Sequence, residues 1–469
     1  MKKTFRALTL LLAVTLVFSG CNSKNNSSGG NAGKKGDSSR YTIEAKGSPY
    51  AKGIYLPALT KEQAKITYMT NTTMEYIKNE SSETSPTPIY HALMIWKEVY
   101  GVDVEIDLVD WDSFTNHLIS AVASGEGPDV LRYTSHPTWV NSNLLATLDD
   151  KMNFNEDGYD LDAMNKKSLN NHIYAVYSKT PLMPSNYIIY NKTKFVQAGE
   201  KTPMEYYKDG KWTMSQLLKS AKKLTSAASN DFGFTGTGLY PVVVSLQKDG
   251  SVTSLLGDSD FQKFLNVRAE LYNSGYARTD DNQGVNYRET MSSGKDAMTA
   301  VGIALEYPWL IDKAKAAGIS DEFGMAPMPV EDEIGETKPR GGNYQYDGFS
   351  ISLHSNNQNG ATEFLRLVTL VGNNISEKLG EFGQLNSYMT DEEKEVFKNI
   401  EYQDVSKYYH NGTALGKTGI SGLENCYNQY IMPIFQSGNK KSVSQIISEM
   451  SGPLKSIIME YEISIGVSK

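Results

Sequence analysis

Cysteine is nearly absent: 469 residues hold two, Cys21 and Cys426. That excludes a disulfide framework and any cysteine-rich metal site, and it leaves Cys426 to read as a small core residue. Positive charge is also scarce. The 46 lysines and arginines stand against 54 aspartates and glutamates, a net charge of −8, and no nucleic acid is expected to bind such a surface. Beyond residue 20 no apolar run approaches the roughly 20 residues that a membrane-spanning helix needs, so the body is expected to be soluble. The six histidines, at positions 91, 117, 136, 172, 354 and 410, are too scattered to suggest metal capture. Neither G-x-S-x-G nor H-E-x-x-H occurs, and Gly294-Lys295 lacks the earlier glycine and following hydroxyl residue of a phosphate loop. Asn153 to Gly158 starts like a calcium loop, yet Met164 stands where the bidentate glutamate belongs, which leaves a plain turn. Adjacent carboxylates such as Asp149-Asp150 and Glu392-Glu393 read as solvated faces. The chain is thus expected to hold no metal and no cofactor, and not to be an enzyme.

What is present starts with a patterned N-terminus. Residues 1–6 carry Lys2, Lys3 and Arg6, residues 7–18 are apolar, and the small pair Ser19-Gly20 precedes Cys21. This order over residues 1–20 is that of a secretory signal peptide. The small pair before the cysteine resembles the lipobox of bacterial lipoproteins, with Phe18 where leucine is usual. The resemblance implies a lipid on Cys21 and a place on the outer face of the cell membrane. Removal of the leader leaves 43 basic against 54 acidic residues, a net −11. Residues 22–39 are serine, asparagine, glycine and lysine with no aromatic or branched apolar side chain, too little to offset the entropy of ordering. Residues 21–59 are therefore expected to form an anchored flexible tether and its lead-in.

The remaining length allows two to four compact units. The segment 64–70 reads as a strand, and Thr87-Pro88 as the N-cap and first residue of a helix whose stripe is Ile89, Leu93, Trp96 and Tyr100. Val104, Ile106 and Leu108 alternate with acidic residues as a second strand. Phe114, Leu118 and Val122 mark a helix, and 128–132 a third strand, so this first body is α/β with a parallel sheet. A second body, built alike, is expected from about Ile173. It has a strand at 187–190, a helix opened by a Thr213–Gln216 capping box, strands at 296–305 and 324–330, and helices after Asp391. Trp96, Trp139 and Trp212 read as helix-packing residues.

Several of these stretches, in this order, resemble family 1 of the extracellular solute-binding proteins, the receptors of bacterial ABC importers for sugars and oligosaccharides. They are SFTNHLISAVASGEGPDVLRY, NYIIYNKTKFVQAGEKTPMEYYKDGKWTMSQLLKSAKKLT, MSSGKDAMTAV, YPW and FGMAPMPV, spread over residues 64 to 370. The resemblance implies a two-lobed, periplasmic-binding-protein-like fold of type II, its lobes joined by hinge strands and closing on a ligand. Lobe 1 would be 60–172 plus 349–385, and lobe 2 would be 173–348 plus 386–469. A carbohydrate ligand, permease partners, lipid attachment to the membrane and a monomeric state are the corresponding expectations.

Sugars need aromatic platforms beside amides and carboxylates, and open α/β sheets bind ligands beyond the carboxyl ends of their strands. Asn71 and Trp111 follow the first two strands, while Asn186 and Tyr187 open a strand of the second body. Glu306 and Tyr307 follow another, and Tyr344 lies beside the returning hinge. The resemblance adds Tyr133 and His136 from the loop after the third strand, and Trp309 as the stacking aromatic. Two alternatives remain open: a secreted carbohydrate-active enzyme, which would set two carboxylates about 5 to 10 Å apart across the sugar, and the same fold binding a peptide.

Overall fold

The computed structural model describes residues 38–464 apart from 82–85, 111–112, 134–138, 141, 157, 167, 170, 180, 237–240, 248–250, 279–285, 303, 344–347, 403–419 and 436–440. The expected lipidation at Cys21 therefore lies outside the described residues. Strand Thr67–Thr70 sits at the centre of a four-stranded sheet, parallel to Glu105–Leu108 on one side and to Val130–Tyr133 on the other. The fourth strand, Gly348–Ile351, pairs antiparallel with Val130–Tyr133. Helix Pro88–Tyr100 starts at a proline, whose fixed φ suits a first helical residue, and stops at Gly101 in the left-handed region. It buries Leu93, Trp96 and Tyr100, as its spacing predicts. Trp96 donates its indole N–H to Ala64 O at 2.9 Å and meets Phe364 edge-on. Phe364 belongs to helix Gln358–Leu379, which adds Leu365, Val368 and Val371 to the same core.

Part of the expected tether and lead-in, residues 41–57, is built into the first body. Strand Tyr41–Glu44 pairs antiparallel with Tyr55–Pro57, and Ala45, Tyr50, Ile54 and Leu56 are buried in the first core. These residues supply the apolar area that residues 22–39 lack. Arg40 pairs with Glu363 at 2.5 Å, and the Arg366 guanidinium lies 3.9 Å above the Tyr41 ring while donating to Tyr55 O. Arg366 also holds Glu156, so this carboxylate of the calcium-like stretch is committed to an ion pair.

The second body differs from the first. Its sheet is antiparallel, with the fully buried strand Tyr187–Asn191 between Met298–Val301 and Phe323–Pro327. Trp212 donates to Pro327 O at 2.8 Å and so fastens helix Met214–Leu224 to that sheet. Thr213 accepts from Gln216 N as expected, but Gln216 turns its amide to Ser220 and leaves the capping box half made. Complete boxes form at Thr202–Glu205 and Thr390–Glu393. Glu393, expected on a solvated face, is buried because it also accepts from Met325 N at 2.7 Å. The expected strand 296–305 is shorter, and helix Glu306–Ala316 begins where it was to end; Pro308 is tolerated in a first turn. Helices Asp391–Asn399, Leu423–Tyr430 and Val443–Ser464 fill the C-terminal region, where Cys426 is buried and free.

Among the described residues no apolar core spans both bodies. The first core draws on residues from Ala45 to Tyr177 and from Ile351 to Ile375. The other two draw on residues from Met183 to Met328 and from Phe382 to Tyr461. Between them, two backbone segments run side by side: Val176 bridges Phe349 on the first body's side, and Ser185 and Pro184 pair with Gly342 and Asn343 on the other. Leu182 N donates to Glu381 O, where the chain passes a third time. Gly348 meets the Tyr177 ring so closely that an added Cβ would lie 2.5 Å from it. Gly348→Ala is expected to destabilise by about 1 to 3 kcal/mol through overpacking, measured by urea unfolding.

Beneath the second body Arg268, fully buried, pairs with Glu331 and lies 3.3 Å from Glu333. Burial, then the Glu331 carboxylate, pushes Glu333 up to about 9 from an ordinary 4.5. Below pH about 4.5 Glu333 is protonated in both the folded and unfolded chain, and between there and about 9 only the unfolded chain releases the proton. Stability from this group therefore falls as pH rises through that window. Glu333→Gln is expected to raise the melting temperature relative to wild type at pH 8, with the difference smallest near pH 4.

Candidate functional site

The carboxyl end of the first sheet is built around Arg132, the penultimate residue of its strand. Its Nη1 donates to Asn71 Oδ1 at 2.7 Å and to Thr72 Oγ1 at 2.8 Å, drawing the turn after the central strand toward the Val130–Tyr133 strand. Asn71 is exposed and so stays within reach of a solute. Tyr133 ends that strand, opposite Gly348 in the ladder. Trp111, His136 and Tyr344 lie outside the described residues.

In the second sheet the register puts Tyr187, Val301 and Pro327 in one row. Asn186, just before Tyr187, and the Glu306–Ala316 helix, just after Val301, therefore leave from the same end. Asn186 holds φ at +52°, and its buried Oδ1 accepts no hydrogen bond among the described residues. Trp309 projects from the first turn of the helix and is 41% exposed. Beside it Arg288 donates from Nε to Glu306 Oε2 at 2.9 Å, and from Nη2 to Glu306 Oε1. The guanidinium carbon lies 5.4 Å from the Trp309 ring centre, and Lys313 Nζ lies 4.7 Å from it. Partial burial works against the charge on Arg288, but hydrogen bonding to Glu306, with support from Tyr287, outweighs it and raises the pKa above its ordinary value. Tyr287, half-buried, is pushed up to about 12 by burial and by the Glu306 charge.

Three expected contacts are corrected here. Tyr187 is 0% exposed and spends its hydroxyl on Ala304 O at 3.0 Å. Tyr307 is buried and donates to Phe323 O at 3.1 Å. Glu306 is buried too, and its carboxylate is occupied by Arg288. An apolar helix face must pack against the sheet, and Tyr307 lies on that face while Trp309, two residues on, points away. Arg288, Arg132 and Lys313 were not anticipated. Arg132 had a weak signal, a charged residue within an apolar strand; Arg288 had none.

The two sheet ends are connected by little chain. Gly342 pairs with Ser185, next to Asn186, and Gly348 with Tyr133, six positions further along the chain.

The family model of the bacterial extracellular solute-binding proteins matches residues 67–375. The chain belongs to that family. Membership places this solute-binding protein outside the cytoplasm, and no helix among its described residues is long and apolar enough to cross a membrane. It is similar in structure to the galacto-N-biose-/lacto-N-biose I-binding protein of an ABC transporter from Bifidobacterium longum, with TM-score 0.58 and 15% identity over 86% of this chain and 98% of the other. The GacH receptor of Streptomyces glaucescens gives 0.56 and 15% over 86% and 100%. The maltotriose-binding protein of Thermus thermophilus gives 0.51 and 18% over 84% and 100%. These likenesses identify the fold as the two-lobed α/β fold of the periplasmic binding proteins. No curated protein matches the chain.

Tyr187→Phe and Tyr307→Phe are each expected to lose about 0.5 to 1.5 kcal/mol of stability, the worth of one buried hydrogen bond, in denaturant unfolding. Neither is expected to change affinity for a solute.

Proposed function

We propose that this solute-binding protein captures a carbohydrate of oligosaccharide size between its lobes and delivers it to the permease subunits of an ABC importer. It acts as a monomer, held to the outer face of the membrane by a lipid on Cys21. The observation that carries the reading is Trp309: an indole left 41% exposed at a sheet end, beside a guanidinium locked to a buried carboxylate. An apolar ring face next to fixed polar donors is what a sugar ring with hydroxyls at its rim requires. The Bifidobacterium longum protein is in complex with lacto-N-biose and the Thermus thermophilus protein with maltotriose, which supports the class.

Lobe 1 is assigned as 60–172 plus 349–385, extended by the N-terminal hairpin; lobe 2 is 173–348 plus 386–469. Core membership supports cuts a few residues from these, after Tyr177 and after Ile375. Asn71, Trp111, Tyr133, His136 and Tyr344 are assigned as ligand contacts together with Asn186 and Trp309. Only the closed form completes both halves, so affinity is coupled to closure.

The test is a thermal-shift screen of the purified protein against mono- and oligosaccharides, followed by an assay for cleaved products. A sugar that raises the melting temperature and is recovered intact is the expected result. Turnover would make the protein an enzyme, and stabilisation by peptides alone would change the cargo. Trp309→Ala is expected to weaken sugar binding by about 1 to 3 kcal/mol while leaving the melting temperature of the free protein nearly unchanged.

A further inference from the structure

We infer that Arg288 is the specificity-determining residue of the Trp309 platform and that Glu306 is a positioning residue that aims it. The assignment rests on the carbohydrate reading above. Glu306 cannot itself serve a ligand: it is buried, and both its oxygens accept from Arg288. The consequence is a guanidinium clamped along one edge. Its Nε and Nη2 are held by the carboxylate, Nε also lies 3.2 Å from Tyr287 Oη, and its Nη1 donates to no group among the described residues. The Arg288 side chain is 42% exposed, so the remaining edge is open to a solute.

Geometry relates this open edge to the indole. The guanidinium carbon is 5.4 Å from the Trp309 ring centre and 5.6 Å from that of Tyr287, so it lies among two aromatic rings that limit its rotation. A sugar lying on Trp309 would present its rim to the Nη1 donors. The fork is rigid and planar, and it suits two adjacent oxygen acceptors in one plane. Vicinal hydroxyls of a neutral sugar carry that pair, and so does the carboxylate of a uronic acid. The nearby charges do not decide between them, because Lys313 over the same ring is accompanied by Glu289 at 3.8 Å and by Asp312 on the same helix.

The experiment measures the affinity of the full-length protein for maltotriose, lacto-N-biose and digalacturonate by calorimetry, at low and high salt, in wild type and in Arg288→Gln, Arg288→Lys, Glu306→Gln and the Arg288→Gln/Glu306→Gln pair. For whichever sugar binds, Arg288→Gln is expected to lower affinity about 10- to 100-fold. Arg288→Lys, which keeps the charge and loses the fork, recovers little of that loss. Glu306→Gln is expected to weaken binding about 3- to 10-fold, and the double variant no further than Arg288→Gln alone, because Glu306 acts only through Arg288. A loss that adds in the double variant would overturn the positioning role. Salt-sensitive binding of digalacturonate identifies the carboxylate as the acceptor pair, and salt-independent binding of a neutral sugar identifies the hydroxyls. A sugar that binds Arg288→Gln as tightly as wild type removes the assignment alone. A panel in which no sugar binds removes the carbohydrate reading, and this assignment with it.

Discussion

The structure depends on one backbone arrangement: two segments that bridge at Val176 and Phe349 beside the first sheet and pair again at Ser185 and Gly342 in a small separate sheet. The ladder on one side ends at Gly348 beside Tyr133; on the other it ends beside Asn186, at the sheet end from which the Trp309 helix departs. Because the bonds are between main-chain groups, the relation of the two ends is set by chain direction and register, and surface charge has little part in it. The bodies are otherwise separate in what they bury, which leaves these crossings to govern their relative motion.

Much of the first body was legible from its sequence, because its signals are local. Pro88, Gly101 and the Leu93, Trp96, Tyr100 stripe mark one helix from start to stop, and the alternation around Ile106 marks its neighbouring strand. The second body was harder. Nothing in the composition of residues 187–191, 298–301 and 323–327 tells a parallel strand from an antiparallel one, since all three are buried on both faces and carry no alternation. The N-terminal hairpin was missed for another reason: its few apolar residues become informative only when helix Gln358–Leu379 is available to cover them.

Three candidate side chains were misplaced by sequence reasoning because position was taken for access. Sequence places Glu306, Tyr307 and Trp309 after a strand, but a helix begins there, and its rotation sends Tyr307 inward and Trp309 outward. Tyr187 was chosen for its position at a strand end; its strand is buried along its whole length, so position did not mean access. Arg288 could not be chosen, since what distinguishes it is a partner 18 residues away and a ring on that partner's helix.

The first core is assembled from two distant stretches of a long chain. Arg40 finds Glu363 across 323 residues, and the strands from Thr67 to Tyr133 wait for helix Gln358–Leu379 to close over them. A chain emerging from its amino end must therefore carry the strands and helices of its first body uncovered until residues 351–375 follow, and the second body in turn waits for residues 382–461. Contacts of such sequence separation form late, after a large loop has been closed, and exposed apolar surface in the interval invites association with other chains. The order of elements that gives two bodies a shared hinge also leaves each of them waiting for chain made after the other has begun.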